Sequence, residues 1–219
     1  MSGTAFSTGQ MAEFTTSVNG ALAVALPKVA EKFGDPKAVL AGIKDKTEVL
    51  AGRLESAIED VVKSMMALIR RPQLSITISD SDHCSPNTFF KTRKGLYVWD
   101  DFRARVVKLA KPVDTGTTFK VNVDELGATL TDGEIGNGLP KNHLWDEGAL
   151  CAVIAEMISK QPEGKEGDLL NNGYANLFYT CSCVVGVGWD SDDREWGVDA
   201  WGRDDRRWGA GLRVLSPAN

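Results

Sequence analysis

The chain has 219 residues, 42% of them hydrophobic and 25% charged, and a formal net charge of −5. This is ample material for a globular core, and an acidic balance that excludes any general attraction to nucleic acid or to an anionic membrane. No apolar run reaches the roughly 20 residues that a spanning helix needs.

Met1 to Phe14 has neither the basic nor the apolar segment of a secretory signal. A cytoplasmic or virion-associated location is therefore expected. In that setting Cys84, Cys151, Cys181 and Cys183 are expected as free thiols.

The first seventy or so residues read as helical. Ser17 to Phe33 is rich in Ala, Val and Leu and is interrupted by Pro27. Asp35-Pro36 suits a helix start. Leu50, Leu54, Ile58, Val61, Met65 and Leu68 then form one apolar stripe, predicting a helix that runs to Arg71 and stops at Pro72. Two helices cannot fill a core but can cover a neighbouring sheet. That favours packing on the chain's own domain, with homo-oligomer formation through these helices as the other reading.

The period then changes. Leu74, Ile76 and Ile78 alternate with polar residues as in a half-buried strand, and Asp80 to Thr88 reads as a loop. Leu96 to Trp99 is a short strand. Asp100-Asp101-Phe102 opens a helix carrying Val106, Val107 and Leu109, which ends before Pro112. Phe119, Val121 and Val123 alternate again. Thr131 to Pro140 reads as a glycine-rich loop, and Trp145 to Ser159 as a helix with Leu150, Val153, Ile154, Met157 and Ile158 facing inward. Gln161 to Asp168 is another loop, and Asn171-Asn172-Gly173 a turn. Leu177 to Trp189, Trp196 to Trp201 and Gly211 to Leu215 are expected as a three-stranded meander. Helices followed by strands grouped at the end indicate an antiparallel α+β fold.

The end of the chain holds a repeat. Trp189 to Gly197 and Trp201 to Gly209 both read Trp-x-x-Asp-Asp-Arg-x-Trp-Gly. Strand periodicity puts Val185, Val187 and Trp189 on one face, and Gly186, Gly188 and Asp190 on the other. Likewise Trp196, Val198 and Ala200 oppose Gly197 and Asp199. A face of Gly and Asp adds little to a core; it is either solvated or used to contact something else.

Gly173 to Tyr179, the Trp-framed turns and the ending Trp208-Gly209-Ala210-Gly211-Leu212-Arg213-Val214-Leu215-Ser216-Pro217 resemble the variable proteins of diversity-generating retroelements. The resemblance is specific from about Gly173 onward, weaker from Gln73, and does not include the N-terminal helices. It implies a C-type lectin-like domain of the formylglycine-generating-enzyme variety, with antiparallel sheets and two flanking helices. It divides the chain into a helical segment, residues 1–72, and a ligand-binding domain, residues 73–219, whose variable region spans about 181–219.

The resemblance further implies a receptor- or target-recognition protein, not an enzyme, diversified by a reverse transcriptase that replaces template adenines. Codons of that kind reach Gly, Asp, Arg and Leu but not Trp or Glu. Gly186, Gly188, Asp190, Asp193, Gly197, Asp199, Gly202, Asp204, Asp205, Arg206 and Leu212 are then the exchangeable ligand-binding positions. Trp189, Trp196, Trp201 and Trp208 are the frame. The ligand is expected to be a protein or other macromolecule, with no nucleic acid.

Catalytic signals are weak. His83 and His143 are the only histidines and no Gly-x-Ser-x-Gly turn exists. Gly186-Val187-Gly188 lacks the third glycine and the helix of a dinucleotide site. Cys181-Ser182-Cys183 would place two thiols on one strand face; a copper oxidase like the formylglycine-generating enzymes is the enzymatic alternative, and a structural or virion assembly protein the other. No cofactor is expected. Asp192-Asp193 and Asp204-Asp205 could offer oxygen to Ca²⁺, but solvated turns beside Arg are favoured over a metal site.

Overall fold

The computed structural model describes residues 7–33, 67–203 and 206–218, with isolated positions between 37 and 57. The chain divides into two compact units, Met1–Asp60 and Val61–Asn219. The second therefore begins before the expected boundary at residue 72.

In the first unit, α1 spans Thr8–Phe33 and continues through Pro27. It starts earlier than the composition suggests, because Ser7 and Gln10 cap it reciprocally: the Gln10 N–H donates to Ser7 Oγ (3.3 Å) and the Ser7 N–H to Gln10 Oε1 (2.9 Å). Of the predicted apolar stripe, Leu50, Ile58, Val61 and Met65 lie outside the described residues.

The second unit is a mixed α+β domain. Leu68, expected as the last member of the helical stripe, instead opens strand β1, Leu68–Thr77. Pro72 does not stop a helix; it sits in a register shift between Arg71 and Leu74 on an edge strand, where its missing N–H costs no ladder bond. A one-turn helix, α2 (Pro86–Phe89), interrupts the predicted loop. Strand β2 is Leu96–Val98; α3, Asp100–Phe102, widens into a π-turn over Arg103–Val107. Val106 and Val107 are buried there, and Leu109 is exposed.

β3 is Thr118–Leu126 and β4 Leu130–Thr131. The predicted glycine-rich loop contains a helix, α4, Asp132–Gly138, closed by a capping box between Thr131 and Glu134. α5, Glu147–Lys160, starts on Asp146, whose carboxylate accepts from the N–H groups of Gly148 and Ala149. All five residues predicted to face inward are buried.

Strands β5 (Asn176–Tyr179), β6 (Cys183–Asp190), β7 (Glu195–Gly202), β8 (Arg207–Trp208) and β9 (Arg213–Ala218) complete the fold. β5, β6 and β7 form an antiparallel meander. The last strand does not extend it: β9 crosses back to lie between β3, antiparallel, and β5, parallel. β2 pairs in parallel with β7. The seven-stranded order is β1-β3-β9-β5-β6-β7-β2, so the sheet is mixed and not purely antiparallel; β4 and β8 form a separate pair.

The two faces of the large sheet differ. One packs Val185, Val187, Trp196, Val198 and Ala200 against Phe102 and the apolar side of α5. On the other, Leu177, Tyr179, Val184 and Val214 lie with Ile135 of α4 and Trp208 of β8 in a smaller core. That second cover stops short of the β6–β7–β2 edge.

Candidate functional site: a groove on the uncovered end of the sheet

Where the cover ends, the sheet carries an open groove of about 620 Å³. Its floor is the Gly/Asp face of β6 and β7. Gly186, Gly188, Asp190, Asp193, Gly197 and Asp199 line it, so these predicted positions come together. Of the remaining nominated positions, the described ones, Gly202, Arg206 and Leu212, do not line it. Gly202 pairs with Cys183 at the far end of β7. Leu212 packs at the margin of the smaller core, and Arg206 lies across Trp201 and Trp208, 5.2 and 5.9 Å from their ring centres. Asp204 and Asp205 lie outside the described residues.

The two repeats place their tryptophans alike. Trp189 and Trp196 stand directly opposite each other in the β6–β7 register, centroids 5.5 Å apart at 61°. Trp201 and Trp208 adopt the same 5.5 Å and 61° arrangement. In each pair the second ring is buried and donates its indole N–H. Trp196, 1% exposed, donates to the Gln161 carbonyl (3.0 Å), and Trp208 to Asp132 Oδ1 (2.7 Å). The first ring of each pair is only half-buried: Trp201 bears on the groove floor at Gly186, whereas Trp189 shares the core face with Trp196 and packs over Gly164. The four tryptophans thus differ from a uniform frame: Trp196 and Trp208 anchor, Trp189 packs at the margin of the main core, and Trp201 also forms wall.

Sequence reasoning missed the opposite wall. Tyr97 and Trp99, from β2 and the residue after it, are 41% and 44% exposed and meet edge to face at 4.5 Å. The parallel pairing of Tyr97 with Gly197 brings them to the groove. Tyr97 alternates between buried Leu96 and Val98, which was the signal that could have found it. A third side comes from Gly173 and Ala175. The loop before β5 is tied down by Asn176, which accepts from the Leu170 N–H (2.9 Å) and donates to the Val187 carbonyl (3.0 Å).

At two floor glycines a ring occupies the space a Cβ would take. A Cβ on Gly186 would lie 2.6 Å from Trp201 Cζ3, and one on Gly197 2.8 Å from Trp99 Cζ3. At Gly188 and Gly202 nothing lies within 4 Å of such a Cβ.

The groove's charged lining is acidic: Asp190, Asp193, Glu195 and Asp199, with no Lys or Arg lining it among the described residues. Burial pushes the Asp199 carboxyl above its ordinary range. The Ala200 N–H opposes this, nearby Asp101 adds to it, and Arg206 opposes it. Asp190 Oδ1 accepts from the N–H groups of Asp192 and Asp193 (2.8 and 3.1 Å), which shapes the β6–β7 turn. Arg194 pairs with Glu163 (3.2 Å) rather than offsetting the adjacent Asp residues. Among the described residues no group of three or more His, Cys, Asp and Glu side chains is placed to hold a metal.

Away from the groove, His83 is buried and links the loop after β1 to α5. Its Nδ1 meets Glu156 Oε2 at 2.7 Å and its Nε2 meets Ser159 Oγ at 2.8 Å. This order of groups is that of a Ser-His-carboxylate relay. Ser159, however, sits in the last turn of α5, where unpaired carbonyls would repel a developing oxyanion. The network reads as a clasp. Cys183 is buried in the core and Cys181 exposed, so the pair does not share one face; all four cysteines are free.

No protein-family model, curated protein or solved structure matches the chain. No described helix is long and apolar enough to cross a membrane.

Proposed function

We propose that this is a ligand-binding protein, not an enzyme, whose recognition surface is the groove over β6, β7 and β2. We further propose that its domain is C-type lectin-like and that its exchangeable surface residues are diversified by a retroelement. The observation that carries the reading is the convergence of Gly186, Gly188, Asp190, Asp193, Gly197 and Asp199 in one open groove, while Trp196 beneath them and Trp208 in the neighbouring smaller core are buried and hydrogen-bonded. Anchored rings hold the backbone, so side chains above it can vary without unfolding the sheet. Exposed aromatic walls beside small and polar floor positions are the composition of a protein-recognition surface, so the ligand is a protein or other macromolecule.

The test is to sequence the DNA beside the gene. A near-copy of the segment encoding residues 181–219, next to a reverse transcriptase and differing only at adenines, is expected. Mismatches should fall in the codons of the groove positions and spare those of Trp196 and Trp208. Absence of such a copy overturns the diversification reading.

A further inference from the structure

The groove joins two features that select the same chemistry. Its charged lining consists of Asp190, Asp193, Glu195 and Asp199, with no cationic side chain lining it among the described residues. Its wall presents the exposed rings of Tyr97 and Trp99. From these, and resting on the reading of this groove as a ligand site, we infer that its occupant is an arginine side chain carried by a polypeptide partner.

Charge decides first. A nucleic acid or an acidic peptide would set its own anions against this lining. An uncharged sugar would cover the carboxylates without supplying a counter-charge, leaving desolvated anions unpaired. A cation removes that penalty. Asp199 gains most from it: the carboxylate is half-buried, its hydrogen bond comes from the Ala200 N–H, and it forms no salt bridge among the described residues. Its raised pKa has the same cause.

Shape then separates arginine from lysine. The guanidinium is planar, stacks on aromatic faces and donates two parallel N–H bonds to one carboxylate; an ammonium is a point charge. The groove offers flat faces on Tyr97 and Trp99 beside a floor that is open at Gly188, where nothing lies within 4 Å of a Cβ. The chain already uses this contact next door. The guanidinium of Arg206 lies 5.2 Å from the Trp201 ring centre, and that of Arg203 lies 5.7 Å from Tyr179. An incoming arginine between Trp99 and Asp199 would repeat it on the open side.

The groove is also too large for one side chain alone. At about 620 Å³, with walls from three separate chain segments, it has room for the residues flanking that arginine. A peptide laid along the β2–β7 edge would leave its arginine over Asp199 and its backbone against Tyr97 and Trp99.

The full-length protein is titrated with a blocked Gly-Arg-Gly peptide, its citrulline isostere and Gly-Lys-Gly, following the indole N–H signals by NMR. The expected result is movement of the Trp99 and Trp201 signals with the arginine peptide, while Trp196 on the opposite face stays fixed. Binding should be at least tenfold weaker with citrulline, weaker with lysine, and weakened again by Asp199→Asn and by added salt. Should Trp99→Ala fail to fold, Tyr97→Ala reports on the same wall. Equal binding of the citrulline peptide overturns the cation requirement while leaving a ligand groove. Arginine binding that moves no groove indole also overturns the inference, as general attraction to an acidic surface. If the groove stays silent but the adenine-mismatched gene copy exists, this inference fails and the diversification reading stands. Arginine-specific binding without that copy supports the inference and removes only the diversification.

Discussion

The Trp99 ring rests on Gly197, so that a Cβ at 197 would fall 2.8 Å from Cζ3 and 3.0 Å from Cη2. Trp201 bears on Gly186 in the same way, at 2.6 and 2.9 Å. Exchange at these two positions therefore moves a wall, whereas exchange at Gly188 adds a side chain to open space. Gly197→Val is expected to displace Trp99 and cost about 1–3 kcal/mol, the usual range for overpacking. Gly188→Thr should leave stability unchanged or slightly raised, within about 0.5 kcal/mol, since Thr suits a strand better than Gly. Thermal melts with tryptophan fluorescence separate the two; equal effects would show that the ring contact does not constrain position 197.

Frame and surface should separate just as clearly at Trp196 and Asp193. Trp196→Ala removes a buried ring, its edge contact with Trp189 and its bond to Gln161. A loss of about 3–5 kcal/mol is expected from cavity formation. Asp193 is exposed in the β6–β7 turn, so Asp193→Tyr should change stability by no more than about 0.5 kcal/mol. Urea unfolding of both variants checks this; comparable destabilisation would contradict the division.

Asp132 joins the small sheet to the large one. Its Oδ1 accepts from the Tyr179 hydroxyl (2.9 Å) and the Trp208 indole N–H (2.7 Å), and its Oδ2 from the Arg206 N–H (3.0 Å). Asp132→Ala would strand three donors, two of them on buried rings. A loss of about 3–5 kcal/mol is expected, as for other broken buried charged contacts. Asp132→Asn, which keeps the shape and acceptor oxygen, should lose less. Hydrogen exchange at the Arg206 and Trp208 amides would register the opening of β4–β8 directly.

Local periodicity made much of this fold legible. The alternation of Leu74, Ile76 and Ile78 predicted the second half of β1, and the inward residues of α5 were all identified. The Gly/Asp face of β6 and β7, which adds little to a core, lines the groove. What failed was non-local or disguised. Three glycines hid α4, although Thr131-x-x-Glu134 is a capping signature. β9 was placed beside β7 because adjacent strands usually pair, whereas it fills the slot between β3 and β5. The Tyr97–Trp99 wall and the His83–Glu156 contact depend on pairings between distant segments, which no window of sequence contains.

Glu156 gives the clasp a pH dependence. Burial pushes its carboxyl up, but the Ser79 N–H, His83, the Ser79 hydroxyl and Lys160 outweigh this and bring it down to about 2. The folded value thus lies below the unfolded value of 4.5. The stabilisation is complete above pH 4.5 and is lost as pH falls toward 2. Glu156→Gln should cost about 1–3 kcal/mol at neutral pH and flatten the decline in stability over that acid window. Acid titration of both proteins by circular dichroism tests it; parallel curves would rule out the carboxylate as the source.

Asp199 has the opposite sign. Burial, with repulsion from Asp101, raises its folded pKa above 3.8 despite the Ala200 N–H and Arg206. Folding therefore favours the protonated form, and the ionised carboxylate opposes stability at neutral pH. That opposition is relieved as pH falls through the raised value and is gone below 3.8, where folded and unfolded forms are both neutral. Asp199→Asn should raise the melting temperature at pH 7 and leave it unchanged near pH 3. A bound cation would lower the same pKa, so the arginine-peptide affinity should weaken on acidification through this window in the native protein and not in Asp199→Asn. A stability gain with no change in the pH dependence of binding would assign Asp199 to the floor of the groove alone and place the cation over Asp190, Asp193 or Glu195 instead.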